Sequence, residues 1–163
     1  MSSSQETTFS LLIAALGKAA GVEGIAPGEG GVCRMEVGER PLSIIRQGDS
    51  ALLYTALGAL PGDDAAAARV RAELLSANVL YRGTYGACLG VAPEDGMITV
   101  CYQTPMHSVT GEGFALLVEN FINLADMWEK RLAGIAAGEE RPAPVDGQNA
   151  PGLPLMNDPL MRA

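Results

Sequence analysis

The sequence predicts an α+β fold in which a mostly antiparallel, twisted sheet packs against helices, in the element order α-β-β-β-α-β-β-α. Two observations support this prediction. Three segments repeat apolar residues at the spacing of an amphipathic helix. Between them lie short apolar runs bounded by glycine, proline and aspartate, three before the middle helix and two after it, and such runs are typical of strands.

The first helix is predicted where apolar residues recur from Phe9 onward, with Ser and Thr upstream to cap it and Gly21 to end it. Three strands follow, at residues 32–37, 42–47 and 51–57. In the first strand apolar and charged residues alternate, which indicates a sheet with one face toward solvent. The third strand, ALLYTALG, is apolar on both faces, so it is either a central strand or a strand whose outer face is covered by a partner.

The second helix is predicted over residues 65–82. Asp63 and Asp64 stand at its start, where carboxylates accept backbone N–H groups and complement the helix dipole. The apolar surface of this helix is wider than packing on one sheet requires. We therefore expect a second copy of the helix, from another subunit, to pack against it across a two-fold axis.

A hairpin is predicted next, with strands at residues 87–91 and 97–103 joined by a turn of sequence PEDG. Pro105 then ends the sheet, and Thr110 can cap the last helix. The apolar face of that helix consists of Phe114, Leu117, Val118, Phe121, Ile122, Ala125, Trp128 and Leu132. Its length makes it the element expected to lie across the sheet and hold the core together.

Residues 1–133 are expected to form one α+β domain, and residues 134–163 a Pro- and Gly-rich, flexible C-terminal tail. From Gly134 onward Pro, Gly, Ala and acidic residues dominate, and neither helical nor strand periodicity is present. The end of the tail, PGLPLMNDPLMRA, carries apolar residues, which suits either a short docking motif or an unselected end.

Charge and cysteine usage narrow the class of protein. The formal net charge of -8 disfavours nucleic acid and anionic membrane as partners, because both require clustered Lys and Arg. No apolar run approaches the roughly 20 residues that span a membrane, and the N-terminus lacks the basic region of a signal peptide. The three cysteines lie in apolar runs without paired spacing, which indicates buried thiols in a reducing cytoplasm and neither zinc ligands nor disulfides.

No residue pattern predicts a catalytic, cofactor or metal site. His107 and Ser108 are neighbours in a loop, and the sequence offers no third group with the geometry of a triad. Glu94 and Asp95 form a carboxylate pair of the kind used in acid–base or metal chemistry, but they lie in a tight turn and are expected to be solvated. We therefore expect a protein that is not an enzyme and uses no cofactor.

The run LLSANVLYRGTYGACLGVAPEDGMITVCYQTPM, followed by FALLVENFINLADMWEKRL, resembles the bacterial type III secretion chaperones of the Tir chaperone (CesT) family. The shared pattern is a leucine-rich helix with Ala-Asn near its end, a glycine-flanked strand, an acidic turn, a strand that ends before Pro, and a long helix that ends near Trp and Leu. The likeness covers nearly all of residues 8–133.

The resemblance implies a type III secretion chaperone-like homodimer in the bacterial cytoplasm. Such a protein binds the N-terminal chaperone-binding region of a secreted effector and keeps it soluble and secretion-competent without ATP hydrolysis. The secretion ATPase is a further partner that the resemblance suggests. The alternative is a regulatory or structural protein-binding module of the same fold that does not escort a secreted protein.

The resemblance also assigns residues by position. Family dimers meet mainly through the second helix, and the residues that correspond here are Leu74, Leu75, Asn78 and Val79. The effector segment binds in extended form in grooves made by the first helix and the sheet. The residues that correspond to this site are Ile13, Leu16, Met35 and Ile44. The Ala-rich start of the second helix and the Pro-rich tail depart from the family pattern, so the resemblance assigns no role to the tail.

Overall fold

A computed structural model describes residues 2–22, 24–81 and 83–139. Its helices are Ser2–Ala20 (α1), Asp64–Asn78 (α2) and Gly111–Ala137 (α3), and its strands are Val32–Val37 (β1), Arg40–Gln47 (β2), Ser50–Ala59 (β3), Cys88–Val91 (β4) and Met97–Pro105 (β5). The strands form a five-stranded antiparallel sheet in the order β1-β2-β3-β5-β4. The predicted fold class and element order are confirmed, and β3, apolar on both faces, is the central strand.

The chain divides into two compact units. Among the described residues, the first unit holds 2–54 and 102–122, and the second holds 55–101 and 123–139. Three elements, β3, β5 and α3, have residues in both units.

The core of the first unit is formed by one face of α1 and one face of the neighbouring strands. Its fully buried side chains include Phe9, Ile13, Ile44 and Leu53. The burial of β1 alternates as its sequence predicts, because successive side chains of a strand point to opposite faces. The helix α1 begins at Ser2, well before the apolar spacing does. Its first turns consist of polar residues, so they carry no apolar signal in the sequence.

In the second unit, α2 begins with the predicted cap. The Asp63 carboxylate accepts a hydrogen bond from the Ala66 N–H at 2.7 Å. The predicted end of this helix, near residue 82, is wrong: α2 stops at Asn78. A 3-10 turn, Val79–Tyr81, follows, in which Leu80 and Tyr81 have φ angles of 56° and 54°. Apolar spacing continues through this turn, so the sequence alone does not reveal that the backbone has left the helix.

The last helix, α3, is capped by Thr110, whose Oγ1 accepts a hydrogen bond from the Gly113 N–H at 3.0 Å. All eight residues of its predicted apolar face are buried. The helix extends to Ala137, past residue 133, and Arg69 of α2 donates hydrogen bonds to the carbonyls of Ile135 and Ala136. These bonds satisfy carbonyls that the helix end leaves free. The proposed tail lies, from residue 140 onward, outside the described residues.

Candidate functional site

Four apolar side chains at the end of α2 and in the turn that follows are exposed. Leu75, Val79, Leu80 and Tyr81, here called the α2 cluster, are 72%, 57%, 77% and 54% exposed. The left-handed backbone of Leu80 and Tyr81 is costly for residues with a Cβ, and such conformations occur often at functional sites. A contiguous exposed apolar patch of this kind is typical of a protein–protein contact.

Asn78 is a clamp between α2 and β4. Its side-chain amide donates to the Leu89 carbonyl at 2.8 Å, and its amide oxygen accepts from the Leu89 N–H at 3.0 Å. Leu74 is buried in the core of the second unit. Of the four residues assigned to the dimer, Leu75 and Val79 are exposed. Leu74 is buried, and Asn78 is hydrogen-bonded to Leu89 within the protomer.

A buried polar network fixes α2 from its inner side. Glu73 and Arg131 form an ion pair at 2.7 Å, with side chains only 5% and 11% exposed. The Arg131 guanidinium lies over the Trp128 ring, 5.2 Å from its centroid, and the Trp128 Nε1–H donates to the Gly83 carbonyl at 3.0 Å. Because Gly83 follows the turn closely, this network holds both the helix and the segment after it.

A groove in the first unit lies between α1, the turn at Glu29–Gly31 and β2. Its volume is about 320 Å³. The groove is lined by Glu6, Phe9, Ser10, Pro27, Gly28, Gly30, Gly31 and Arg46. The Arg46 side chain packs directly onto the backbone of Gly31 in the groove. A side chain at this position would interfere, because a Cβ on Gly31 would lie 3.0 Å from Arg46 Nε.

Arg46 gives the groove its polar character. Its Nη2 atom lies 3.5 Å from Glu6 Oε1. Its Nε–H is buried and has no hydrogen-bond partner within the part of the chain that the structure describes. A buried N–H without a partner costs free energy, and a small movement of the Arg46 side chain would let it donate to an incoming carbonyl or carboxylate oxygen.

The residues assigned to effector binding lie mostly inside the first unit. Ile13, Leu16 and Ile44 are buried, and Met35 is half-buried on β1. None of the four lines the groove. Leu11, on the outward side of α1, is 66% exposed, and no assignment from the sequence included it.

The solvent-facing side of the first unit's strands carries a second apolar strip. Val32, Ile45 and Leu52 are directly opposite one another across β1, β2 and β3, and each is half-buried. Directly opposite residues share one face of a sheet. Tyr54 is exposed on the same face of β3. The sequence indicated an apolar outer face on β3, but the strip and Arg46 were not assigned, because the pattern of one strand does not show which residues of the neighbouring strand lie beside it.

Two of the residues that resembled chemical sites, Asp95 and Ser108, have local hydrogen-bond partners. The Asp95 carboxylate accepts a hydrogen bond from the Met97 N–H at 3.0 Å, which fixes the hairpin turn. The Ser108 hydroxyl donates to the Pro105 carbonyl at 2.8 Å. Among the described residues no three His, Cys, Asp or Glu side chains are grouped to hold a metal ion. No described helix is long and apolar enough to cross a membrane.

Comparison with solved structures finds the same fold in several complexes. The ExsC–ExsE complex matches with a TM-score of 0.67 and 17% identity, over 78% of this chain and 95% of that one. The HopA1–SchA chaperone–effector complex matches with a TM-score of 0.59 and 14% identity, over 77% and 92%. The Yersinia pestis type III secretion chaperone SycH, bound to a fragment of YscM2, matches with a TM-score of 0.58 and 14% identity, over 73% and 98%.

No curated protein matches the chain in sequence. The family model of the Tir chaperone protein (CesT) family, by contrast, matches residues 11–129. That span contains β1 to β5, α2 and most of α1 and α3. The chain belongs to the Tir chaperone protein (CesT) family.

Proposed function

We propose that the protein is a cytoplasmic chaperone for a type III secreted effector. As a homodimer it binds the N-terminal chaperone-binding region of the effector and keeps it soluble and secretion-competent, without ATP hydrolysis. The observation that carries this proposal is the exposed apolar surface on a member of the Tir chaperone family. Similar folds in a chaperone–effector complex and in a type III secretion chaperone support it.

The α2 cluster is the surface that we assign to the homodimer. Burial of the four exposed apolar side chains in an interface would be favourable, by about 25 cal/mol per Å² of apolar area removed from water. A standard interface buries about 800 Å² on each partner. The Asn78 clamp and the Glu73–Arg131 pair hold the cluster from the inner side, so the surface is prepared before association.

The effector segment is assigned to the first unit. Leu11 and the apolar strip Val32–Ile45–Leu52 offer apolar contacts to an extended chain with loose sequence requirements. The Arg46 Nε–H in the groove offers a donor for a backbone carbonyl of that chain.

Addition of an effector strand is favoured at β1. The two edges of the sheet are β1 and β4. On β4 the outward backbone groups of Leu89 are already bound by Asn78. An added strand needs unpaired N–H and C=O groups along the edge strand. The Asn78 clamp therefore makes β4 less suitable than β1 for pairing with an effector strand.

The experiment is co-expression with a candidate effector, chosen from the proteins encoded by the neighbouring genes, followed by copurification. We expect the effector to be soluble and recovered in a complex only when this chain is present, and the complex to persist after nucleotide is removed with apyrase. An effector equally soluble and stable alone would contradict the chaperone function and would favour a protein-binding module that escorts nothing.

The homodimer is tested with Leu75→Glu combined with Val79→Glu. Two carboxylates in the contact should convert dimers to monomers, or to aggregates, measured by light scattering. The matched control is Ala65→Glu, an exposed position in the first turn of the same helix, where a carboxylate suits the helix dipole. A double variant that stays dimeric would place the interface elsewhere.

A further inference from the structure

Two of the three cysteines face each other across a strand pair. In the register of β4 and β5, Cys88 is directly opposite Cys101, and both thiols are free. Directly opposite residues of an antiparallel pair project from the same face of the sheet. Cys88 is exposed, Cys101 is half-buried, and Cys33 is buried in the other unit.

The Asn78 clamp defines the geometry of this cysteine pair. Because the Leu89 N–H and C=O are bound to Asn78, those groups point away from β5, and the backbone groups of Cys88 point toward it. Cys88 and Cys101 therefore form a hydrogen-bonded pair, for which the Cα separation is about 5.5 Å. Disulfides have Cα separations of about 4.4–6.8 Å.

Cys88 also affects the pKa of the Cys101 thiol. Burial raises the pKa of the Cys101 thiol, and negative charge on Cys88 raises it further, while the backbone of Cys88 acts in the opposite direction. These influences agree with the register, which places Cys88 and Cys101 side by side on one face of the sheet. The register therefore brings the two thiols within reach of each other after a small movement.

We propose that Cys88 and Cys101 form a reversible redox site that a hydroperoxide converts to an intramolecular disulfide. The sulfur of Cys88, the exposed thiol, attacks one oxygen of hydrogen peroxide, the O–O bond breaks, and one water leaves. The sulfur of Cys101 then attacks the resulting sulfenic acid, the S–O bond breaks, and a second water leaves. The two thiols lose two electrons and two protons, and one peroxide is reduced to two waters.

The bond formed this way is suited to reversal. In a hydrogen-bonded pair the Cβ atoms are about 5.5 Å apart, whereas a disulfide holds them at about 3.5–4.5 Å, so closure must bring the Cβ atoms together by about 1–2 Å. Geometric strain and exposure both make a disulfide easier to reduce. A cellular dithiol can therefore return the pair to the reduced state, as expected for a redox-responsive site in a reducing compartment. This inference does not depend on the proposed function.

The test is peptide mapping of the full-length reduced protein after treatment with hydrogen peroxide. Trypsin cleaves after Arg82 and Lys130, so Cys88 and Cys101 lie in one peptide, residues 83–130. After denaturation in iodoacetamide, we expect that peptide to lack two hydrogens and to carry no alkyl group. Dithiothreitol should restore two alkylation sites in it.

Variants separate this outcome from general oxidation. In Cys101→Ser, Cys88 should remain as a sulfenic acid that dimedone labels, while Cys33→Ser, the matched control, should still form the disulfide. Two alkylated cysteines in peptide 83–130 after peroxide would overturn the proposal. A Cys88–Cys88 cross-link between chains, or a sulfinic acid on Cys88 beside an alkylated Cys101, would overturn it as well.

Discussion

Replacing Asn78 by alanine tests whether this residue clamps α2 to β4. Asn78 was assigned from the sequence to the dimer contact, whereas the structure shows both polar groups of its side chain bound to Leu89 at 2.8 and 3.0 Å. The variant removes both bonds and leaves the Leu89 N–H and C=O without those partners.

The expected cost follows from these two bonds. Each contributes about 1 kcal/mol net to stability. Asn78 is half-buried, so water can reach part of the vacated site, and the penalty for unpaired backbone groups stays near the lower end of about 1–3 kcal/mol. We expect the free energy of unfolding to fall by about 2–3 kcal/mol in total.

Urea denaturation followed by tryptophan fluorescence measures this loss, because Trp128 is the single tryptophan and is buried in the same unit as the clamp. Hydrogen exchange adds a local measurement: the Leu89 amide should exchange faster in the variant. The matched control is Arg71→Ala, at an exposed position of α2, which should change stability by less than about 0.5 kcal/mol. If Asn78→Ala keeps the urea midpoint of the unmodified protein and the Leu89 amide stays protected, the clamp has no energetic role.

Two further changes probe the packing of each unit. Glu73→Gln replaces the carboxylate of the buried Glu73–Arg131 pair by a neutral amide, and removing one charge of a buried pair costs up to about 3–5 kcal/mol. Urea denaturation should show this loss, and an unchanged midpoint would mean that the charge of Glu73 contributes nothing. Gly111→Ala would place a Cβ 2.7 Å from the Ala15 Cβ, so we expect about 1–3 kcal/mol of destabilisation. Gly62→Ala, where no atom lies within 4 Å, is its control, and equal stability of the two variants would contradict the close helix contact.

The fold could be predicted from the sequence because its local signals agree with its tertiary structure. The strand β1 has the predicted bounds, Asp63 and Thr110 cap the helices they were expected to cap, and the apolar face of α3 is buried throughout. The predicted end of α2 is wrong, because it coincides with a change of backbone conformation at Leu80 that apolar spacing cannot reveal. The end of α3 depends on Arg69, which is distant in sequence, so local spacing does not determine it either.

The candidate site was harder to predict, for a related reason. Apolar residues that bind a partner and apolar residues that form the core share one spacing, so Leu74 and Leu75 looked equivalent although one is buried and the other exposed. Ile13 and Ile44 were assigned to the effector by their position in the family pattern, which does not distinguish buried from exposed apolar residues, and both are buried in the protomer. Asn78 was assigned to the dimer by its position in the family pattern, and only the structure shows that its side chain binds the Leu89 backbone.

The polar contacts behind α2 explain how one small unit can expose an apolar surface without burying it within the protomer. A flexible helix end with four large apolar side chains would fold back onto the core, because burial is favourable wherever the backbone permits it. Here Asn78 fixes the last turn to β4, the Glu73–Arg131 pair fixes the inner face, and Trp128 holds Gly83 beyond the turn. Side chains held away from the core are available for the homodimer contact that we propose. If that contact forms, removal of the clamp should weaken association as well as stability. Asn78→Ala should then lower the dimer fraction in light scattering at urea concentrations below its unfolding midpoint, and an unchanged dimer fraction would contradict this role of the clamp.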